Sequence, residues 1–124
     1  MVTGGYGSNT DIGKKSELLH PNGTFWCKLP DLFHSQSGLT QNGEYACGGG
    51  NSNSLSLTTC STLSSDGWEE GISLQFKRSG HVSWTRPNGQ IQLMGGNDSP
   101  STTEIVTSGN KSSKRGYNLK HGIR

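Results

Sequence analysis

Four histidines, three cysteines and one adjacent pair of glutamates are the residues of this 124-residue chain best equipped for chemistry. His20, His34, His81 and His121 share no spacing that would bring two imidazoles to one zinc ion, and Cys27, Cys47 and Cys60 contain no C-x-x-C pair. His81 falls in a run of strand formers and reads as a partly buried, hydrogen-bonded side chain. Glu69 and Glu70 are neighbours in sequence; neighbours on a strand point to opposite faces, so the two carboxylates would not share a substrate. Serine is abundant, yet no G-x-S-x-G elbow occurs. Gly48-Gly49-Gly50 before Asn51 lacks the lysine and the following helix of a phosphate loop, and reads as a strand end and turn. The expectation is a chain with no catalytic residues, no cofactor and no metal site.

The elements that would position these residues announce themselves through glycine. A glycine doublet closes a short strand-like run three times, at Gly4-Gly5, Gly48-Gly49 and Gly95-Gly96. The separations are about 44 and 47 residues, a period that signals a stacked structural unit. Trp26 and Trp68 keep nearly the same period, each about 20 residues beyond its doublet. Turn chemistry fits between these markers: Asn22-Gly23, Asn42-Gly43, Asp66-Gly67 and Asn88-Gly89 each separate two strand candidates, and such pairs supply the positive φ that tight hairpins need. No window shows a helical period; Gly71 to Arg78 is rich in strand formers and too short for a helix. The fold class expected is all-β, an antiparallel meander with almost no helix.

Superimposing the recurrences gives a four-strand unit. Its first strand follows Ser37-Gly38 or Ser79-Gly80, its second ends at the doublet, a polar loop follows, and its fourth carries the tryptophan. Residues 37–78 then form one complete unit. Residues 1–36 supply the last strands of the unit before it, 79–109 the first three strands of the unit after it, and 110–124 a basic disordered tail. Alternation predicts that Trp26, Trp68, Trp84, Leu18, Leu39, Tyr45, Ile91 and Leu93 are buried. Cys47 and Cys60 fall on adjacent antiparallel strands of the complete unit, close enough to bridge. In an oxidising compartment that is the preferred pairing of the three available, with Cys27 left over; in a reducing one all three are small apolar residues.

Composition sets limits on partners. Only 27% of residues are hydrophobic and mean hydropathy is −0.67, which is thin for a self-sufficient core. The net charge of +2 is unevenly spread: all nine acids lie before Asn110, while Lys111, Lys114, Arg115, Lys120 and Arg124 follow it. With Tyr117 as the one aromatic beside those cations, nucleic-acid binding is not the expectation. No apolar run approaches the ~20 residues of a membrane helix. No signal peptide precedes the first doublet, and the chain reads as starting within a unit. Sequons at Asn22 and Asn110 incline the localisation towards secretion, though such triplets arise readily in an Asn/Ser/Thr-rich chain.

A four-strand unit with a glycine doublet closing strand two and a tryptophan in strand four resembles the kelch repeat of β-propellers, over about residues 2–108. The run Asn22-Gly23-Thr24-Phe25-Trp26-Cys27-Lys28-Leu29-Pro30 is similar to that of divergent invertebrate kelch modules. It departs from the family where a tyrosine is usual in strand three, at Leu19 and Ser61, and where an arginine often precedes strand one, Arg78 in one unit and Gln36 in the other. The resemblance implies antiparallel four-stranded blades, about two and a half repeats and no closed ring. The structural residues would be Gly4, Gly5, Gly48, Gly49, Gly95, Gly96, Trp26 and Trp68. It also implies a non-catalytic module that binds a protein partner through its inter-strand loops, with self-association or a longer parent chain completing the array. A degenerate fragment without independent function is the alternative. The propeller portion of an enzyme similar to galactose oxidase is a third, for which no Tyr, His and Cys ligand set is present.

Overall fold

In the computed structural model, which describes residues 1–4, 14–32, 36–50 and 56–122, the chain is all-β and builds three antiparallel sheets that do not close on themselves. The first contains β1 (Val2–Thr3), β2 (Ser16–Leu19) and β3 (Trp26–Lys28). The second contains β4 (Thr40–Asn42), β5 (Tyr45–Cys47), β6 (Leu57–Ser64) and β7 (Gly67–Arg78). The third contains β8 (Val82–Thr85), β9 (Ile91–Met94), β10 (Thr103–Val106) and β11 (Lys114–Arg115). Each sheet is a meander of sequence-consecutive strands, as the Asn-Gly and Asp-Gly turns require. The stretch Gly71–Arg78 lies within β7, the longest strand.

Strand pairing establishes which positions are equivalent. The residue closing the strand before each doublet faces the start of the next strand: Thr3 opposite Ser16, Cys47 opposite Cys60, and Met94 opposite Thr103. One strand further on, Trp26 lies opposite Leu19 and Trp68 opposite Leu63, so the two tryptophans occupy one register position. The first glycines of the doublets adopt almost the same left-handed conformation, with φ of 71° at Gly4, 68° at Gly48 and 70° at Gly95.

The core lies between sheets. Leu32, Ala46 and Trp68 form a cluster joining sheets one and two, with Met1, Leu39 and Leu63 against it. Ile72, Leu74, Ile91, Leu93 and Val106 join sheets two and three, around Cys47 and Cys60 and beside Tyr45. Cys47 and Cys60 are directly opposed on β5 and β6 and disulfide-bonded, with Cα atoms 4.1 Å apart; Cys27 is free. Of the residues expected in the core, Trp68, Ile91 and Leu93 are buried, and Leu39 and Tyr45 are half-buried.

Trp26, Trp84 and Leu18 correct the sequence reading. Trp26 and Trp84 are each 51% exposed, against 4% for Trp68, and Leu18 is exposed too. Alternation identifies which side chains share a face, but burial needs a second sheet against that face. Trp26 is on the side of sheet one turned away from sheet two, and Trp84 on the side of sheet three turned away from sheet two, so no sheet among the described residues covers either. A second correction concerns 110–122, the described part of the expected disordered tail. Glu104 and Ile105 pair with Arg115 and Lys114, adding a fourth strand, and Ser112 bridges to Ser73 of β7. Backbone bonds from Gly116 to Thr103 and from Leu119 to Ser101 tie the segment down further.

Candidate functional site

The doublets place the innermost strands. A Cβ added at Gly48 would sit 2.6 Å from the Arg78 carbonyl oxygen and 2.8 Å from the His81 ring, so only glycine lets the next sheet's first strand approach this closely. Gly4 stands in the same relation to the Gln36 carbonyl and the Leu39 side chain. Leu39 and His81 are thus equivalents, each laid across the doublet of the preceding sheet. The N–H of Gly49 donates to the Arg78 carbonyl at 2.6 Å and that of Gly80 to the Gly38 carbonyl at 2.8 Å, joining consecutive units through backbone. Gly5, an expected member of the first doublet, lies outside the described residues, as do most of the polar loops expected after the first two doublets.

The residue before each Ser-Gly fastens one unit to the next. Gln36 Nε2 donates to the Gly48 carbonyl at 2.6 Å, and Arg78 Nη1 donates to the Gly95 carbonyl at 2.7 Å: the same bond in successive units. Arg78 also pairs through Nε with Glu104 at 2.7 Å, both side chains being wholly buried, and donates to the Thr102 carbonyl and hydroxyl. Glu104 accepts further from the N–H of Gln75 and of Phe76 and from the Ser113 hydroxyl. Each guanidinium nitrogen and each carboxylate oxygen of the pair is therefore engaged, which is what lets two charges stay buried. Nothing in the sequence alone marks Arg78 and Glu104 as a buried pair. The bond from Gln36 shows what signal was present: a long polar side chain recurring just before Ser-Gly.

His81 is buried, with Nε2 2.8 Å from the Thr40 hydroxyl and a buried Nδ1 that has no partner among the described residues. Burial, reinforced by the nearby Arg78 guanidinium, pushes its pKa down to about 4, so the ring is neutral at physiological pH. Asn42 accepts a hydrogen bond from the Ser83 hydroxyl and donates to that of Thr85 at 2.9 Å, extending the contact between β4 and β8. Among the described residues no group of three His, Cys, Asp or Glu side chains could hold a metal ion. Glu69 and Glu70 lie on β7 in consecutive, oppositely directed positions.

The hairpin ends of sheets two and three leave a shallow cleft of about 250 Å³, lined by Asn42, Gly43, Glu44, Tyr45, Thr85, Gly89 and Ile91. Two tight turns, Asn42-Gly43 and Asn88-Gly89, form its rim, and Tyr45 and Ile91 give it an apolar floor beside one exposed carboxylate, Glu44. Such a surface offers amides, a hydroxyl, an aromatic ring and a negative charge. At the opposite end, the loop after Gly95-Gly96 is held in place by Ser99, whose hydroxyl donates to the Lys77 carbonyl at 3.1 Å, and by Ser56, which donates to Asp98.

No helix among the described residues is long and apolar enough to cross a membrane. No protein-family model matches the chain, and no curated protein matches it either.

Proposed function

We propose that this chain is a non-catalytic protein-binding module made of kelch-like propeller blades. The reading is carried by the doublet geometry: a glycine at φ near 70° in each of three sheets, two of them shown lying against the first strand of the next unit. That arrangement stacks sheets around a common line of inner strands, the architecture that propellers use to present turns and loops for recognition. The buried ionisable groups support it as well, because Arg78 and Glu104 are consumed by each other and by backbone.

The cleft between the hairpin ends of β4–β5 and β8–β9 is the surface we assign to a polypeptide partner. Glu44 favours a segment carrying a basic side chain, and Tyr45 offers it an apolar contact. Selection of peptides from a displayed library on the immobilised full chain tests this. Enriched peptides should carry Lys or Arg and lose about tenfold in affinity against Glu44→Lys. Failure to enrich any peptide, or enrichment indifferent to Glu44→Lys, would refute it.

A further inference from the structure

Three triplets in the chain fit the asparagine glycosylation sequon, at Asn22, Asn97 and Asn110, and the fold treats them differently. Asn97-Asp98-Ser99 is built into the contact between units. The Ser99 side chain is buried with its hydroxyl on the Lys77 carbonyl, and the Asn97 N–H donates to the Ser79 carbonyl at 2.9 Å. The hydroxyl that a transferase must read is therefore out of reach. Asn110-Lys111-Ser112 is fastened along the edge of β7. The Lys111 carbonyl accepts from the Ser73 N–H at 2.9 Å, and Ser112 bridges to Ser73, so the backbone between acceptor and hydroxyl is committed to the sheet.

Asn22-Gly23-Thr24 is free of such ties. It forms the tip of the β2–β3 hairpin, closed by the His20 N–H on the Phe25 carbonyl at 2.9 Å, and all three residues are exposed. Gly23 has φ of 72°, and a Cβ added there would meet no atom within 4 Å, so the tip stands clear of the other described residues. Asn22 Oδ1 accepts from the Thr24 N–H at 3.0 Å and from the Thr24 hydroxyl at 2.6 Å. This turn holds the acceptor amide and the sequon hydroxyl side by side. Asn22 Nδ2, the nitrogen that takes a sugar, has no hydrogen-bond acceptor among the described residues.

Two further observations agree. Cys47 and Cys60 are bridged, and such a bridge persists in the oxidising secretory route, where sequons are modified. The same hairpin exposes Leu18, Leu19, Phe25 and Trp26, and a bulky hydrated group at its tip would keep that apolar surface from meeting others. We infer that Asn22 is the acceptor for an N-linked oligosaccharide. The donor is a lipid-linked oligosaccharyl diphosphate. The bond from Asn22 Nδ2 to the first sugar's C1 forms as the bond from C1 to the phosphate oxygen breaks; the lipid diphosphate leaves and the amide releases one proton to solvent. The cleft assigned to a peptide contains no residue of this hairpin, so glycosylation and peptide capture fail separately.

Secretion of the full chain from eukaryotic cells, behind a cleavable leader, tests it by intact mass before and after peptide N-glycanase. The wild-type chain should carry a glycanase-sensitive excess, placed on Asn22 by glycopeptide fragmentation. Asn22→Gln and Thr24→Ala should each return it to the unmodified 13.3 kDa, whereas Thr24→Ser, which keeps the hydroxyl, should retain the excess. Both positions are exposed, so the core is undisturbed, and near-ultraviolet dichroism of the buried Trp68 reports that each variant is folded. Alkylation of the denatured, unreduced chain should label Cys27 alone. A folded wild-type chain secreted at 13.3 kDa would overturn the inference. So would an excess that survives Asn22→Gln or Thr24→Ala, or alkylation of Cys47 and Cys60.

Discussion

Arg78 and Glu104 show how far single residues were hidden in the sequence. Nothing local marks these two as wholly buried; only the third sheet, which brings Glu104 to the end of β7, makes them partners. Glu104→Gln removes one charge and leaves the guanidinium buried without compensation, so a denaturant melt should show a loss of about 3–5 kcal/mol. Arg78→Gln combined with Glu104→Ser, which removes both charges, should recover part of that loss. His81 was legible as a buried, hydrogen-bonded histidine, though not as one held neutral, and it sits one residue before β8. Its folded pKa of about 4 lies below the unfolded value, so the unfolded chain takes up a proton first as pH falls. Stability should be flat with respect to this group above about pH 6.5 and should fall by up to about 3 kcal/mol towards pH 4. Thermal melts of His81→Leu, which installs the residue found at the Leu39 position, should lose that slope.

Strands and hairpins were the most legible level, because turn residues act locally. Each Asn-Gly or Asp-Gly pair connects two strands of one sheet, and the cross-strand opposition of Cys47 and Cys60 follows from counting along the hairpins. Burial of individual faces was not legible, since it depends on whether another sheet is present. Trp26 and Trp68 make the point: one register position, one partner leucine each, opposite exposure. Trp68→Ala should therefore cost about 3–5 kcal/mol in a chemical melt, whereas Trp26→Ala, measured in dilute monomer, should cost less than about 1 kcal/mol. Equal losses would mean that the two faces are covered alike. β11 escaped notice for a different reason. It is two residues long, Lys114–Arg115, and has neither the β-branched side chains nor the alternation by which a strand is recognised.

At the scale of the whole molecule, residues 101–119 repeat the frame of residues 14–32: the N–H groups of Gly116 and Leu119 donate to the Thr103 and Ser101 carbonyls as those of Leu29 and Leu32 donate to Ser16 and Lys14. The period was visible through the doublets at Gly4, Gly48 and Gly95. The basic composition suggests a solvated end, but the Lys111 carbonyl accepts from the Ser73 N–H, and Lys114 and Arg115 pair with Ile105 and Glu104. Amide hydrogen exchange resolved by residue is the most direct measurement. If the frame repeats, the N–H groups of Gly116 and Leu119 are protected as their equivalents at Leu29 and Leu32 are, and Ser113 is protected through its bond to Ser73. Exchange at Ser113, Gly116 and Leu119 as fast as in an unfolded peptide, alongside protected Leu29 and Leu32, would contradict the account.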